Sequence, residues 1–304
     1  MKLELLENQS EYIFITGIAR SGTTLLGNVI GSAKDVVYEF EPPIINSLLA
    51  TIPETKNDDL TISNWKLHFE TFLYEDLFLG NLAGRRLNFN KNDDSYVGNR
   101  ISQIEIDRRL ERSFRRQDAS GLTNKQIIAF KFPSYIHKVQ QLSSLFPSMK
   151  IVIIFRDFIE VLNSLCKKKW LQNLESSLLW PFVKFKNCRI PHWVNPSQYQ
   201  EFIDFSELER YAYYIKKENQ ALELLVNSDK ISFVNYSDLI DKPGESIDSL
   251  FNEINLTKTS KTEELISSIS RKTKSNDQLL EVLPKKIRFE LLDIQKRIML
   301  NHFN

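Results

Sequence analysis

The sequence predicts an α/β fold, a central parallel β-sheet flanked by helices on both faces. Apolar, β-rich runs at 12–16, 36–40, 127–132, 150–155 and 230–235 have the length and composition of buried strands. Most are followed by segments of helical periodicity, the crossover pattern that joins parallel strands. A chain of 304 residues, 42% hydrophobic and 26% charged, can bury one large core, and it contains no repeat, low-complexity tract or linker. One domain over 1–304 is expected, with an insert at 51–126 and a lid-like segment at 166–204 that break the alternation.

The first run, Tyr12-Ile13-Phe14-Ile15-Thr16, ends at Gly17, and Gly22 opens a segment with Leu25, Leu26, Val29 and Ile30 on one stripe. A strand that turns through glycines into a helix aims backbone N–H groups and a positive dipole end at one point, a phosphate cradle. The spacing makes the sheet P-loop-like: four residues separate Gly17 from Gly22, and Thr24 holds the hydroxyl position. The lysine position holds Thr23. That lysine reaches the β- and γ-phosphates of a nucleoside triphosphate, so its absence argues for an anion other than ATP or GTP.

The second run leads into Val37-Tyr38-Glu39-Phe40-Glu41-Pro42-Pro43 and offers two carboxylates. On a strand, Glu39 and Glu41 project to one face. The insert at 51–126 is polar and carries the basic stretch 108–116. The fourth run ends in Phe155-Arg156-Asp157, with Ser164 eight residues beyond Arg156 and beside the stripe of Phe158, Val161, Leu162 and Leu165. An arginine at the carboxyl end of a parallel strand stands where α/β proteins bind ligands. With Ser164 it suits a second phosphate, or else Arg156 and Asp157 form a surface pair. Segment 166–204 carries Lys167, Lys168, Lys169, Trp170, Trp180, His192 and Trp193; its tryptophans either stack on sugar rings or pack down on the body. Residues 206–227 read as one helix without Pro or Gly, and Pro243 stands at a helix start after the last run.

Forty basic and 39 acidic side chains give no global field to attract nucleic acid or a membrane. Cys166 and Cys188 make no CxxC pair, no His/Cys cluster has metal-ligand spacing, and the thiols read as reduced. No apolar run reaches the ~18 residues of a membrane helix. Residues 1–8 carry acidic side chains where a signal peptide is apolar, which predicts a soluble, cytoplasmic protein without membrane insertion.

Four motifs taken together resemble the sulfotransferases that use 3′-phosphoadenosine 5′-phosphosulfate (PAPS). Arg20-Ser21-Gly22-Thr23-Thr24-Leu25-Leu26 is similar to the family's 5′-phosphosulfate loop, and Arg156-Asp157-Phe158 with Ser164 to its 3′-phosphate motif. Tyr236-Ser237-Asp238-Leu239 resembles its Tyr-Glu-Asp-Leu segment, and Lys131-Phe132-Pro133 stands where a counterpart usually does. Phe158 replaces a proline and Ser237 a glutamate. The likeness covers roughly 12–46, 127–166 and 206–256 and is nearest the carbohydrate and tyrosylprotein branches, which place an arginine at the position of Arg20.

The resemblance implies a PAPS-dependent sulfotransferase making a sulfate ester on a hydroxyl of a carbohydrate or glycoconjugate, with PAPS as donor and no metal. Arg20, Ser21, Gly22, Thr23 and Thr24 would hold the phosphosulfate, Arg156 and Ser164 the 3′-phosphate. Glu41, matching a Glu-Pro of the carbohydrate branch, would be the general base with Glu39 as its rival. Lys131 would stand near the leaving group. None of His68, His137, His192 and His302 falls on a matched motif, and Arg271-Lys272 reads as a solvated basic run. The alternatives are a P-loop kinase-like phosphotransferase and a non-catalytic nucleotide-binding module.

Overall fold

The computed structural model describes residues 11–53, 59–78, 91–92, 96–104, 106–107, 127–176, 180–225, 230–270 and 278–303. The basic stretch at 108–116, Arg271-Lys272 and most of the 51–126 insert lie outside the described residues.

Each of the five apolar runs forms a strand of one parallel sheet. The chain enters through β1 (Glu11–Gly17), crosses by α1 (Thr23–Gly31) to β2 (Val36–Phe40), and continues through α2 (Pro43–Ala50) and α3 (Asp59–Phe78). It returns in β3 (Ile127–Lys131), then α4 (Val139–Leu145), β4 (Lys150–Phe155) and α5 (Phe158–Cys166). The 166–204 segment has structure of its own, a hairpin of β5 (Phe182–Phe185) and β6 (Cys188–Pro191) followed by α6 (Tyr199–Asp204). The predicted long helix is α7 (Glu207–Leu224), opened by a capping box in which Ser206 and Glu209 exchange hydrogen bonds. The chain ends with β7 (Ile231–Asn235), α8 (Tyr236–Asp241), α9 (Pro243–Glu253), α10 (Ser260–Ser268), α11 (Gln278–Val282) and α12 (Lys285–His302).

The strand order is β2-β3-β1-β4-β7, all parallel, with Gly17 of β1 opposite Ile154 of β4. Side chains alternate between two apolar layers because both faces are covered. One layer takes Ile13, Ile15, Val152 and Ile154 with Leu26, Val29 and Ile30 of α1 and Ile247, Leu250 and Phe251 of α9. The other takes Phe14, Phe130, Ile153 and Phe155 with Phe158, Val161, Leu162 and Leu165 of α5 and the buried face of α7. The helices that follow adjacent strands β1 and β4 therefore lie on opposite faces. The carboxyl ends of these strands open on the crevice where doubly wound sheets bind ligands.

Helix α1 comes unusually close to the sheet. A Cβ added at Gly31 would lie 2.6 Å from Cβ of Tyr38, and one at Gly27 would meet the same phenol ring. The two glycines, one turn apart, let the Tyr38 ring lie flat against the helix backbone.

The tryptophans of 166–204 pack inward. Trp193 is fully buried against Tyr214, Trp180 is buried against Trp193, and Trp170 meets Trp180 edge-on. Of the two readings open for Trp180 and Trp193, the structure favours core packing over a sugar platform. No helix among the described residues is long and apolar enough to cross a membrane.

Candidate active site

The site is assembled from the ends of β1 and β4. After Gly17 the chain makes a tight turn in which Ser21 N–H donates to the Ile18 carbonyl at 3.0 Å. Two residues take left-handed backbone: Arg20 at φ 75° and Gly22 at φ 100°. Glycine suits the second position for a further reason. A Cβ there would lie 2.7 Å from the Tyr236 ring. Gly17 is equally confined, since a Cβ would stand 2.6 Å from the Ile154 carbonyl oxygen. Gly22 then caps α1, whose first-turn N–H groups have no intrahelical acceptor. Ser21 Oγ is buried there without a partner among the described residues.

From β4, Asp157 caps α5, its Oδ1 accepting from Ile159 N–H at 2.8 Å and Glu160 N–H at 3.2 Å. Its Oδ2 accepts from Gln295 Nε2 at 2.7 Å. Asp157 is thus a cap and a tie to α12 rather than the surface partner of Arg156. Phe158 has a use that the proline of the resembling motif could not serve. Its N–H donates to Gln295 Oε1 at 2.9 Å, while its ring is fully buried.

The two motifs meet. Arg20 Nε donates to Ser164 Oγ at 3.0 Å, and Arg156 Nη1 donates to the Arg20 carbonyl at 3.1 Å. The Arg156 guanidinium also stacks over the Tyr236 ring, 4.1 Å from its centroid, and Arg20 lies 5.9 Å from that of Trp170. Arg20, Gly22, Thr23, Thr24, Arg156 and Ser164 line one cleft of about 810 Å³. Lys167 and Lys168 of the lid-like segment line the same cleft, whereas Glu160 on its wall, and Tyr236 beneath Arg156, were missed as site residues by sequence reasoning. Tyr236 was within a matched motif, so its position was the available signal.

The two carboxylates separate. Strand β2 ends at Phe40, and Glu41 has a left-handed φ of 45°, which takes it out of the strand alternation. The expectation that Glu39 and Glu41 share a face therefore fails. Glu39 is fully buried within the sheet. Glu41, 21% exposed, pairs with Lys131 Nζ. Lys131, only 2% exposed, also donates to Thr24 Oγ1 at 3.2 Å and lies 4.4 Å from the Phe40 ring centroid. Alternation along β3 turns this lysine toward α1, so a strand-end residue reaches the first helical turn. The chain Glu41–Lys131–Thr24 connects a carboxylate to the cradle.

A second network braces the cradle from below. Ala19 N–H donates to Tyr214 Oη at 2.7 Å, Tyr214 Oη shares a hydrogen bond with Ser134 Oγ at 2.5 Å, and Trp180 Nε1 donates to that same Oγ at 3.1 Å. Burial pushes the Tyr214 phenol far above its ordinary range, so it acts as a neutral hydroxyl. The histidines lie elsewhere. His192 stacks on Tyr135 with ring centroids 4.8 Å apart, and His137 Nδ1 hydrogen-bonds Glu218 Oε1 at 2.5 Å. Among the described residues no group of three or more metal-binding side chains comes together.

The sulfotransferase domain of the curacin biosynthetic pathway superposes with a TM-score of 0.50 at 15% identity, covering 95% of this chain and 97% of that one. Sulfotransferase STF9 from Mycobacterium avium gives 0.50 at 15% identity, covering 99% of this chain and 79% of that one. At such identity the likeness speaks for the fold, a helix-flanked parallel sheet. No curated protein sequence matches. The family model described as "Sulfotransferase family" matches residues 12–260, a span that runs from the first strand past α9 and takes in the cradle, Lys131 and the Arg156–Ser164 segment. With this match over most of its length, the chain belongs to the sulfotransferase family.

Proposed function

We propose that the protein transfers the sulfonyl group of PAPS to a hydroxyl of a carbohydrate or glycoconjugate. The observation that carries the donor assignment is the direct contact of Arg20 with Ser164, which makes two anion-binding motifs the walls of one cleft. PAPS has an anionic group at each end, and the residues fit it. Ser21 carries a buried hydroxyl without a partner among the described residues, and the space a Cβ at Gly22 would need is closed by Tyr236, so bare backbone stands at that position. When bound, PAPS supplies an activated sulfonyl group and departs as 3′-phosphoadenosine 5′-phosphate (PAP).

The chain's own residues do the rest. Arg20, the N–H groups of Gly22, Thr23 and Thr24, and the Ser21 and Thr24 hydroxyls hold the phosphosulfate end. Arg156 and Ser164 hold the 3′-phosphate, the arginine by its planar fork. Glu41 takes the proton from the acceptor hydroxyl, and Lys131 between Glu41 and Thr24 offsets negative charge gathering on the donor side. The acceptor reading rests on the Glu-Pro at Glu41-Pro42, as in the carbohydrate branch the sequence resembles.

PAP titration in a thermal-shift assay tests the donor: melting temperature should rise with concentration as expected for a ligand of the native state. Stabilisation by magnesium-ATP and not by PAP would reject it. Transfer from sulfur-labelled PAPS to a panel of glycans and simple alcohols tests the acceptor, and label appearing only in non-carbohydrate alcohols would reject the sugar assignment.

A further inference from the structure

Glu160 is an anomaly in an anion pocket. It stands on the first turn of α5, lines the cleft, and accepts from Arg156 Nε at 2.7 Å, the two side chains being 16% and 13% exposed. The Arg156 guanidinium is held on three sides: its Nε edge by Glu160, one Nη1 hydrogen by the Arg20 carbonyl, and its face by the Tyr236 ring. Among the described residues no other acceptor takes a hydrogen from it. Both Nη2 hydrogens and the second on Nη1 therefore remain to donate, enough for two phosphate oxygens.

A carboxylate within hydrogen-bond reach of that guanidinium has two opposite effects on a phosphate. It fixes the fork in one orientation, which favours binding, and it places a like charge beside the incoming group, which opposes binding. We propose that Glu160 is a positioning residue that aims Arg156 and deliberately loosens the hold on 3′-phosphorylated nucleotide, so that PAP is released rather than retained. This rests on the reading of Arg156 as the 3′-phosphate ligand.

Two substitutions separate the effects. Glu160→Gln keeps an oxygen able to accept from Nε and removes the charge, whereas Glu160→Ala removes both. By isothermal titration with PAP, Glu160→Gln should bind about tenfold tighter than wild type and Glu160→Ala weaker than wild type. Adenosine 5′-phosphosulfate, which lacks the 3′-phosphate, should bind all three proteins within about twofold, a contrast that a general loss of structure would not produce. The inference is overturned if Glu160→Gln binds PAP no tighter than wild type, if Glu160→Ala equals or exceeds wild type, or if both ligands change alike. Arg156→Ala is measured alongside. Should it bind PAP like wild type, the site reading itself fails; should it lose PAP selectively while both Glu160 variants match wild type, only the role of Glu160 fails.

Discussion

Arg20 and Ser164 lie 144 positions apart and share a 3.0 Å hydrogen bond from guanidinium Nε to hydroxyl. The bond ties the turn after β1 to the second turn of α5 and orients Arg20 toward the cleft. Ser164→Ala should therefore weaken PAP binding by about tenfold, through a lost hydroxyl contact and a freed Arg20. Calorimetric titration checks this, and an unchanged affinity would remove Ser164 from the site.

Gly22→Ala should injure stability and binding together. The substitution forces a Cβ onto backbone at φ 100° and against the Tyr236 ring at 2.7 Å. A loss of about 1–3 kcal/mol in urea unfolding is expected. Displacing Tyr236 also withdraws the surface on which Arg156 rests, so PAP affinity should fall in the same variant.

Glu41→Gln should leave PAP affinity within about twofold and reduce turnover by about 100-fold or more. The pairing with Lys131 makes the experiment sharper, because the amide can still accept from Nζ and the local fold is kept. Turnover at the wild-type level would take the base role from Glu41.

Tyr214→Phe tests the brace beneath the cradle. Its hydroxyl accepts from the buried Ala19 N–H, and deleting it strands that donor at a cost of about 1–3 kcal/mol. PAP should bind about threefold to tenfold more weakly, since Ala19 immediately precedes the strained Arg20. Binding unchanged by a destabilising substitution would make Tyr214 a core residue only.

His192 gives the fold an acid limit. Burial, followed by electrostatic repulsion from His137, Lys138 and Lys217, holds its imidazole down at about 2, against 6.5 for the free side chain. The unfolded chain therefore binds a proton below pH 6.5 that the native one refuses, so stability is intact above that pH and declines as pH falls beneath it. About 1 kcal/mol should be lost from this residue between pH 7.5 and 5.5. Both ring nitrogens are buried without partners among the described residues, so His192→Phe should fold and show a correspondingly flatter pH profile in denaturant titrations.

The sheet was legible because Tyr12–Ile15, Ile127–Phe130 and Ile151–Phe155 are uninterrupted apolar runs, and a buried parallel strand leaves that mark in any one sequence. The turn from β1 into α1 was legible for a related reason: a left-handed Gly22 and a confined Gly17 admit few substitutes. Lys131 was not. Read along the chain it is a charged residue at a strand end, and only the packing of α1 over β3 reveals that it is buried beside Thr24. Glu41 shows the same limit, because a single left-handed residue after Phe40 undoes the period of two on which its pairing with Glu39 was reasoned. The hairpin of β5 and β6 escaped because its strands have only four residues each and its faces are half exposed. Tyr214 and Glu160 sit within helical stripes, where nothing distinguishes a functional contact from an ordinary helix position.

The close seating of α1 on Tyr38 reaches further than the two glycines that permit it. Gly31 is nine residues beyond Gly22, about 13 Å along the helix axis, yet its missing side chain helps decide how high the amide-bearing tip stands over the strand ends. A methyl group at Gly31 would act as a wedge under the far end of a lever and tip the Arg20–Gly22 turn out of register with Arg156. Altered nucleotide preference could thus arise from a residue that never meets the nucleotide, and a search confined to the lining of the cleft would pass it by.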